Sequence, residues 1–211
     1  MLVARGLSAS REQAKRLILA GEVRSGDHII DKPGTRLPLD APLAIKDKPR
    51  FVGRGGLKLE AALDAFHIDP AGWVCLDVGT NQLVWQLRND PRVVVREQFN
   101  ARHLVFEDIG ENVRLAVMDL SFISLTRVLP AVFSVLAADG SVVCLIKPQF
   151  ELRREDISKG GIVRDPVLHA RAVEKIHRFV TAEHGHEWRG LIPSPITGMD
   201  GNQEFLAWLG P

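Results

Sequence analysis

Apolar and polar positions follow two kinds of pattern along this chain. In 10-SREQAKRLILAG-21, Ala14, Leu17 and Ile18 recur at helical spacing, Ser10 is placed to cap the start and Gly21 to stop the end. The next stretch, 22-EVRSGDHIIDKPGTRL-37, reads as two short strands about the turn Ser25-Gly26-Asp27, with a second turn at Lys32-Pro33-Gly34 and a last strand in 43-LAIK-46. Farther on, helix and strand patterns alternate. Residues 57–66, 81–89, 125–137 and 166–185 have helical patterns, and Pro130 is tolerable only near a kink or in a first turn. Apolar runs of strand length lie at 74–78, 92–97, 114–120 and 141–147, and HEWRGLIPS and QEFLAWL close the chain as an antiparallel pair. This alternation predicts an α/β fold with a Rossmann-like, mostly parallel sheet covered on both faces. The expected organisation is a small domain over 1–50, a linker over 51–58 containing the hinge-like GRGG (53–56), and a larger domain over 59–211.

Composition narrows the class. With 45% apolar and 25% charged residues, the 211-residue chain is that of an ordinary soluble globular protein. Cys75 and Cys144 each sit in an apolar run, which predicts reduced core thiols and a cytoplasmic home. No apolar run approaches a membrane span, and the first residues have no stretch suited to a signal peptide. The near-neutral total hides an asymmetry: residues 1–58 carry a balance of +6 and residues 59–211 a balance of −5. A basic small segment on a mildly acidic larger one suits a polyanion-gripping unit attached to a working domain.

The run RGLSASREQAKRLILAGEVRSGDHIIDKPGTRL resembles the small αL RNA-binding fold shared by a ribosomal small-subunit protein, some pseudouridine synthases and tyrosyl-tRNA synthetases. The resemblance implies phosphate contacts from Arg5, Arg11, Lys15, Arg16, Arg24 and Lys32, which give affinity without sequence choice. No aromatics are interleaved, so base stacking is not expected there. The family fold usually starts several residues earlier, so the edge at Met1-Leu2-Val3 is expected to be frayed.

In open α/β sheets ligands sit beyond the carboxyl ends of the strands. The residues expected there are Asp77-Val78-Gly79, Glu97, Asp119-Leu120-Ser121 and Lys147-Pro148-Gln149. The segments RGGLKLEAAL, TNQLVWQLRNDPRVVVREQFNARHL, VMDLSFISLTRVLP, CLIKPQFE, KGGIVRDPVLHARAV and GNQEFLAWL resemble the TlyA-type proteins. That family joins an αL RNA-binding domain to an FtsJ-like methyltransferase domain that uses S-adenosylmethionine, and methylates ribose 2′-hydroxyls of ribosomal RNA. The resemblance implies ribosomal RNA or ribosomal subunits as partner, a catalytic set Lys58, Asp119, Lys147 and Glu204, and cofactor contacts from Asp77, Gly79, Asp119 and Leu120. In that set Lys147 is the candidate base, provided burial and a nearby cation leave some neutral amine, and Lys58 supplies the cation. Asp119 and Glu204 orient the lysines while opposing, as anions, the loss of a proton from either. Taken singly, a lysine after a strand is usually a surface residue and an aspartate there usually a cap. KGGIV (159–163) reads equally as a mobile loop or a plain turn. His184-Gly185-His186 lacks further ligands at useful spacing and reads as a solvated turn, so no metal is expected.

One departure from the family is large. Asp77-Val78-Gly79 should lead into a glycine-containing loop, a helix and a second strand that again ends in Asp-Val-Gly. Here it runs straight into Thr80-Asn81-Gln82-Leu83. One strand–helix unit of about 20 residues is missing, so the methyltransferase sheet is expected to be shortened and either less stable or rearranged at its edge. Glu97, twenty residues after Asp77, could stand in as a ribose-binding acid, but no glycine turn precedes the helix between them. The reading is a ribosomal RNA 2′-O-methyltransferase whose cofactor binding is impaired. The alternatives are a non-catalytic RNA-binding protein and, last, a membrane-lysing protein, suggested only by the name hemolysin that many relatives carry.

Overall fold

A computed structural model describes residues 1–46, 50–79, 83–158 and 160–211. They form two compact units, Met1–Arg50 and Phe51–Pro211. In the first, α1 (Arg11–Leu19) lies with a three-stranded antiparallel sheet, β1 (Val23–Ser25), β2 (His28–Ile30) and β3 (Leu43–Ile45), in the order β2-β1-β3. The hydroxyl of Ser10 accepts from the Gln13 amide at 3.1 Å and caps α1. The amphipathic stripe Ala14, Leu17 and Ile18 packs on Leu2, Val23 and Ile30. The expected fraying at the edge is not found: Leu2 is buried in this small core, and a 3-10 turn over Val3–Arg5 follows it.

The second unit holds α2 (Arg54–Ala65), β4 (Cys75–Val78), α3 (Trp85–Arg88), α4 (Phe106–Ile109), β5 (Val113–Met118), α5 (Leu129–Phe133), β6 (Leu136–Ile146), α6 (Pro148–Glu151), α7 (Pro166–Arg178), β7 (Glu187–Pro193) and β8 (Phe205–Gly210). Among the described residues its sheet has five strands in the order β4-β5-β6-β8-β7. β4, β5 and β6 are parallel, and β8 runs antiparallel to both β6 and β7. This is the mixed, mostly parallel sheet that the alternating pattern predicts. The centre is dry: Val142, Cys144, Ile146, Ala207 and Leu209 are all fully buried.

Several elements differ from expectation for physical reasons. Residues 92–97 are irregular, and Val94 is 83% exposed. Among the described residues their strand-like sequence pairs with no strand, although β4 is an edge. Cys144 is a core thiol, but Cys75 is exposed, because β4 is the edge strand and its alternate residues Cys75 and Asp77 face outward. The helix expected over 125–137 is a 3-10 turn at Leu125–Arg127 followed by α5, with Pro130 in its first turn. β6 then begins at Leu136. The helix expected over 81–89 is the single turn α3, and positions 81 and 82 lie outside the described residues. The long helix over 166–185 is α7 continued by a π turn, Phe179–Glu183.

The stretch read as a linker, 51–58, is largely helix. Gly53 is the extended N-cap of α2, and Arg54, Gly55 and Gly56 form its first turn. Phe51 folds back onto that turn, so a Cβ at Gly56 would collide with its ring. GRGG is therefore a helix start under an aromatic lid, not a hinge.

Candidate active site

The sheet brings four distant residues to one end. Asp119 follows the last residue of β5, and Lys147 follows the last residue of the parallel β6. Glu204 precedes β8, whose antiparallel register sets Phe205 opposite Ile146, so Glu204 and Lys147 share the same sheet end. Lys58 comes from α2. The apolar stripe of that helix, Leu59, Ala62, Leu63 and Phe66, packs on Leu115, Val143, Leu145 and Leu206. Lys58 stands one turn before the fully buried Ala62 and is thereby aimed at the strand ends.

The four side chains form an alternating array. Lys58 Nζ lies 2.6 Å from Glu204 Oε2 and 3.8 Å from Asp119 Oδ2, and Lys147 Nζ lies 2.7 Å from Asp119 Oδ1. Lys147 also donates to Ser121 Oγ at 3.0 Å. The side chain of Glu204 is 3% exposed and those of the lysines about a tenth, whereas Asp119 is a third exposed and opens to solvent. Two anions and two cations leave no net charge, so each buried ion has an opposite partner. Glu204 is further enclosed by Gly198, where a Cβ would approach Glu204 Oε1 to 2.8 Å. The closing segment is tied down by Arg54, which donates to the Thr197 carbonyl at 2.6 Å. It is also held by buried Asn202, whose side chain accepts from the Val163 amide at 2.8 Å and donates to the Gly161 carbonyl at 3.0 Å. KGGIV is thus a pinned turn at Gly161 and Val163; Lys159 lies outside the described residues.

The array borders a cleft of about 810 Å³. Asp77, Met118, Asp119, Leu83, Val84, Leu87 and Phe122 are among its lining residues. Asp77 is solvent-exposed by area, yet its carboxyl faces the cleft. Burial first, and then the charge of Asp119, push that carboxyl above its ordinary range. Of the expected cofactor residues, Asp77 and Asp119 line the cleft, Leu120 packs against the core, and Gly79 stands behind Asp77. Among the described residues, a Cβ at Gly79 would meet only Asp77 Oδ1, at 3.8 Å. Glu97 does not stand in: it accepts from Arg88 at 2.6 Å on the surface, and that guanidinium holds its carboxyl below the usual range. The expected helix start at 80–82 lies outside the described residues.

In the small unit Arg11, Lys15, Arg16, Arg24 and Lys32 are exposed. Arg5 is committed internally, donating to the carbonyls of Ala41 and Leu39. His184 and Gly185 are exposed, as expected of a solvated turn, whereas His186 is half-buried and stacks on Phe133 with ring centroids 3.7 Å apart. Local pattern does not reveal the roles of Arg54, Gly198 and Asn202, and it marks Ser121 only as part of a strand end. Arg54, Asn202 and Ser121 meet partners 143, 39 and 26 residues away, and Gly198 leaves room for Glu204.

Parallel strands with an acid at the end of the first and a charged array beyond the next two define an α/β domain of the methyltransferase class. Residues 69–211 match the FtsJ-like methyltransferase family and residues 1–41 match the S4 domain, and the chain belongs to the FtsJ-like methyltransferase family. It is 43% identical to the 16S/23S rRNA (cytidine-2′-O)-methyltransferase TlyA of Mycobacterium tuberculosis (strain ATCC 25618 / H37Rv), over 99% of this chain and 87% of that protein. It is 34% identical to Hemolysin A of Brachyspira hyodysenteriae, over 96% of this chain and 94% of that protein. The solved "Putative hemolysin from Streptococcus thermophilus" superimposes with a TM-score of 0.73 at 39% identity, covering 99% of this chain and 85% of that one. The match to the mycobacterial protein runs over 234 positions, more than the 211 residues of this chain. That relative therefore carries residues, inside the matched span, that this chain lacks.

The cleft suits S-adenosylmethionine in two respects. Its volume is that of a small-molecule site, and the carboxylates of Asp77 and Asp119 face the space a cationic ligand would enter. Leu83, Val84 and Leu87 supply an apolar wall. The sequence offers no glycine-rich cradle after β4.

Proposed function

We propose that this chain is built to methylate ribose 2′-hydroxyls of ribosomal RNA, in the cytoplasm, with a weakened hold on S-adenosylmethionine. The observation that carries the reading is the Glu204–Lys58–Asp119–Lys147 array at the edge of one cleft. S-adenosylmethionine, when bound, supplies an electrophilic methyl group. The chain's own residues orient the hydroxyl. Lys147 Nζ, which meets Asp119 and Ser121, would take its proton after first releasing one of its own to solvent, since only the neutral amine can accept it. Lys58, fixed by Glu204, stabilises the developing negative charge on the oxygen. Asp77 and Asp119 would hold the donor, against Leu83 and Leu87. The exposed cations of the small unit would grip RNA through phosphates, so RNA affinity should fall steeply with salt.

The weakened hold follows from the missing unit. Backbone amides at a glycine turn and a following long helix are the usual grip on such a ligand. Here α3 is one turn long and begins only at Trp85. The test is transfer of labelled methyl groups to ribosomal subunits across a wide range of cofactor concentration. Methylation confined to ribose and saturating only at high cofactor supports the reading. RNA binding with no transfer at any concentration would replace it with the non-catalytic alternative.

A further inference from the structure

A second polar cluster lies behind the array and outside the cleft. The side chain of Glu151 is only 1% exposed, yet both of its oxygens are engaged. Oε1 accepts from the Leu125 amide at 2.8 Å, and Oε2 accepts from the Ser124 hydroxyl at 2.5 Å and from Lys175 Nζ at 2.9 Å. Lys175, on α7, also donates to the Glu151 carbonyl at 2.8 Å and to Ser124 Oγ at 3.1 Å. Glu151 ends the short helix α6, and Lys147 is the N-cap of that same helix. One helical turn therefore reaches both ends of the loop 119–125. Lys147 holds Asp119 and Ser121 at its start, and Glu151 holds Ser124 and Leu125 at its finish. Between them Phe122 adopts φ 64° and is 91% exposed at the cleft. A left-handed aromatic residue is costly and persists only where its surroundings fix it.

We propose that Glu151 and Lys175 are positioning residues for the methyl-transfer reaction, a buried carboxylate and its partly exposed cation that clamp the far end of the 119–125 loop and so keep Asp119 and Ser121 against Lys147. The proposal rests on the reading of the cleft as a transfer site. Lys175 pairs with the Glu151 carboxylate, whose two oxygens accept from Ser124 and Leu125 together. With the clamp released, Phe122 relaxes from its strained conformation and the Asp119–Lys147 contact becomes one of several.

The test uses the full chain with Glu151→Gln and Lys175→Arg. Amide exchange at 121–125 and steady-state transfer are measured on each. In Glu151→Gln, exchange in the loop should rise by about tenfold while β6 and β8 keep their protection. kcat should fall by about tenfold with KM for RNA nearly unchanged. Lys175→Arg, which preserves the cation, should return both towards the parent values. Unchanged loop exchange, or faster exchange with an unaltered kcat, would overturn the proposal. So would loss of protection throughout the second unit in both Glu151→Gln and Lys175→Met, since the pair would then only support the fold. If the parent chain transfers no methyl groups, the reading of the cleft fails by itself. Loop exchange still decides the clamp, a local rise supporting it and an unchanged loop refuting it.

Discussion

The two halves of the large sheet are covered very differently. Around β6 and β8, Val142 to Ile146 and Leu206, Ala207 and Leu209 are each at most 3% exposed, enclosed by helices and by a neighbouring strand on either side. At the other edge β4 has one strand neighbour among the described residues, and the segment after it leaves apolar side chains in water. Trp85 is 75% exposed and Val94 83%, with Phe99, Val105 and Phe106 each about two-fifths exposed. The charged array is anchored in the well-packed half, whereas the expected cofactor grip belongs to the poor one. On the proposed reading, reacting groups and ligand grip belong to separable parts of the sheet, so that damage to one need not disturb the other.

The comparison can be broken most forcefully at Lys147. Lys147→Ala should lower whatever methyl transfer the chain supports by about 10³-fold, the usual worth of a positioned proton acceptor, while circular dichroism stays unchanged. An active Lys147→Ala protein would mean that the well-packed half does not hold the chemistry. Next in size is Lys58→Met. It strands the buried Glu204 carboxylate without its 2.6 Å partner and should cost about 3 kcal/mol in urea unfolding. A loss near zero would mean that the array is solvated and weak.

Asp77 sharpens the contrast from the cofactor side. Its carboxyl is held above the ordinary range, so the folded state binds its proton more tightly than the unfolded chain does. Its contribution to stability is therefore present in acid and lost as pH rises through that raised value. Asp77→Asn should flatten the pH dependence of unfolding above the ordinary carboxylate range and slightly stabilise the fold at neutral pH. It should also weaken cofactor binding further. The smallest effect belongs to the exposed edge: Trp85→Ser and Val94→Ser should change stability by no more than about 0.5 kcal/mol. They should still reduce self-association in sedimentation, because they remove apolar surface beside an open strand.

Much of the fold could be read from local pattern. The Ser10 cap, the stripe of α2 and the apolar runs of β5 and β6 are local properties, and the folded chain keeps them. The strand pattern of 92–97 misled because a strand needs a neighbour, and RVVVRE has the composition without the partner. Cys75 misled for the related reason that an apolar run at a sheet edge buries only one side. At the candidate site, Asp119 and Lys147 stand out as strand-end residues, whereas Lys58 and Glu204, and the joining of all four, come only through family resemblance, since each alone reads as an ordinary cap or surface charge. The contact of Ser121 with Lys147 and that of Arg54 with Thr197 are not legible in the sequence, because folding alone brings those partners within reach, and the room Gly198 leaves for Glu204 shows only in the folded turn.

The most direct measurement is calorimetric titration of S-adenosylmethionine into the purified chain and into a version given the residues that the mycobacterial relative carries within the matched span and this chain lacks. The account predicts that the restored version binds about 100-fold more tightly, a difference of about 2.7 kcal/mol, with both proteins folded. Equal, tight binding by the two would contradict it, and would mean that Asp77, Asp119 and the wall of Leu83 and Leu87 hold the cofactor without the missing unit.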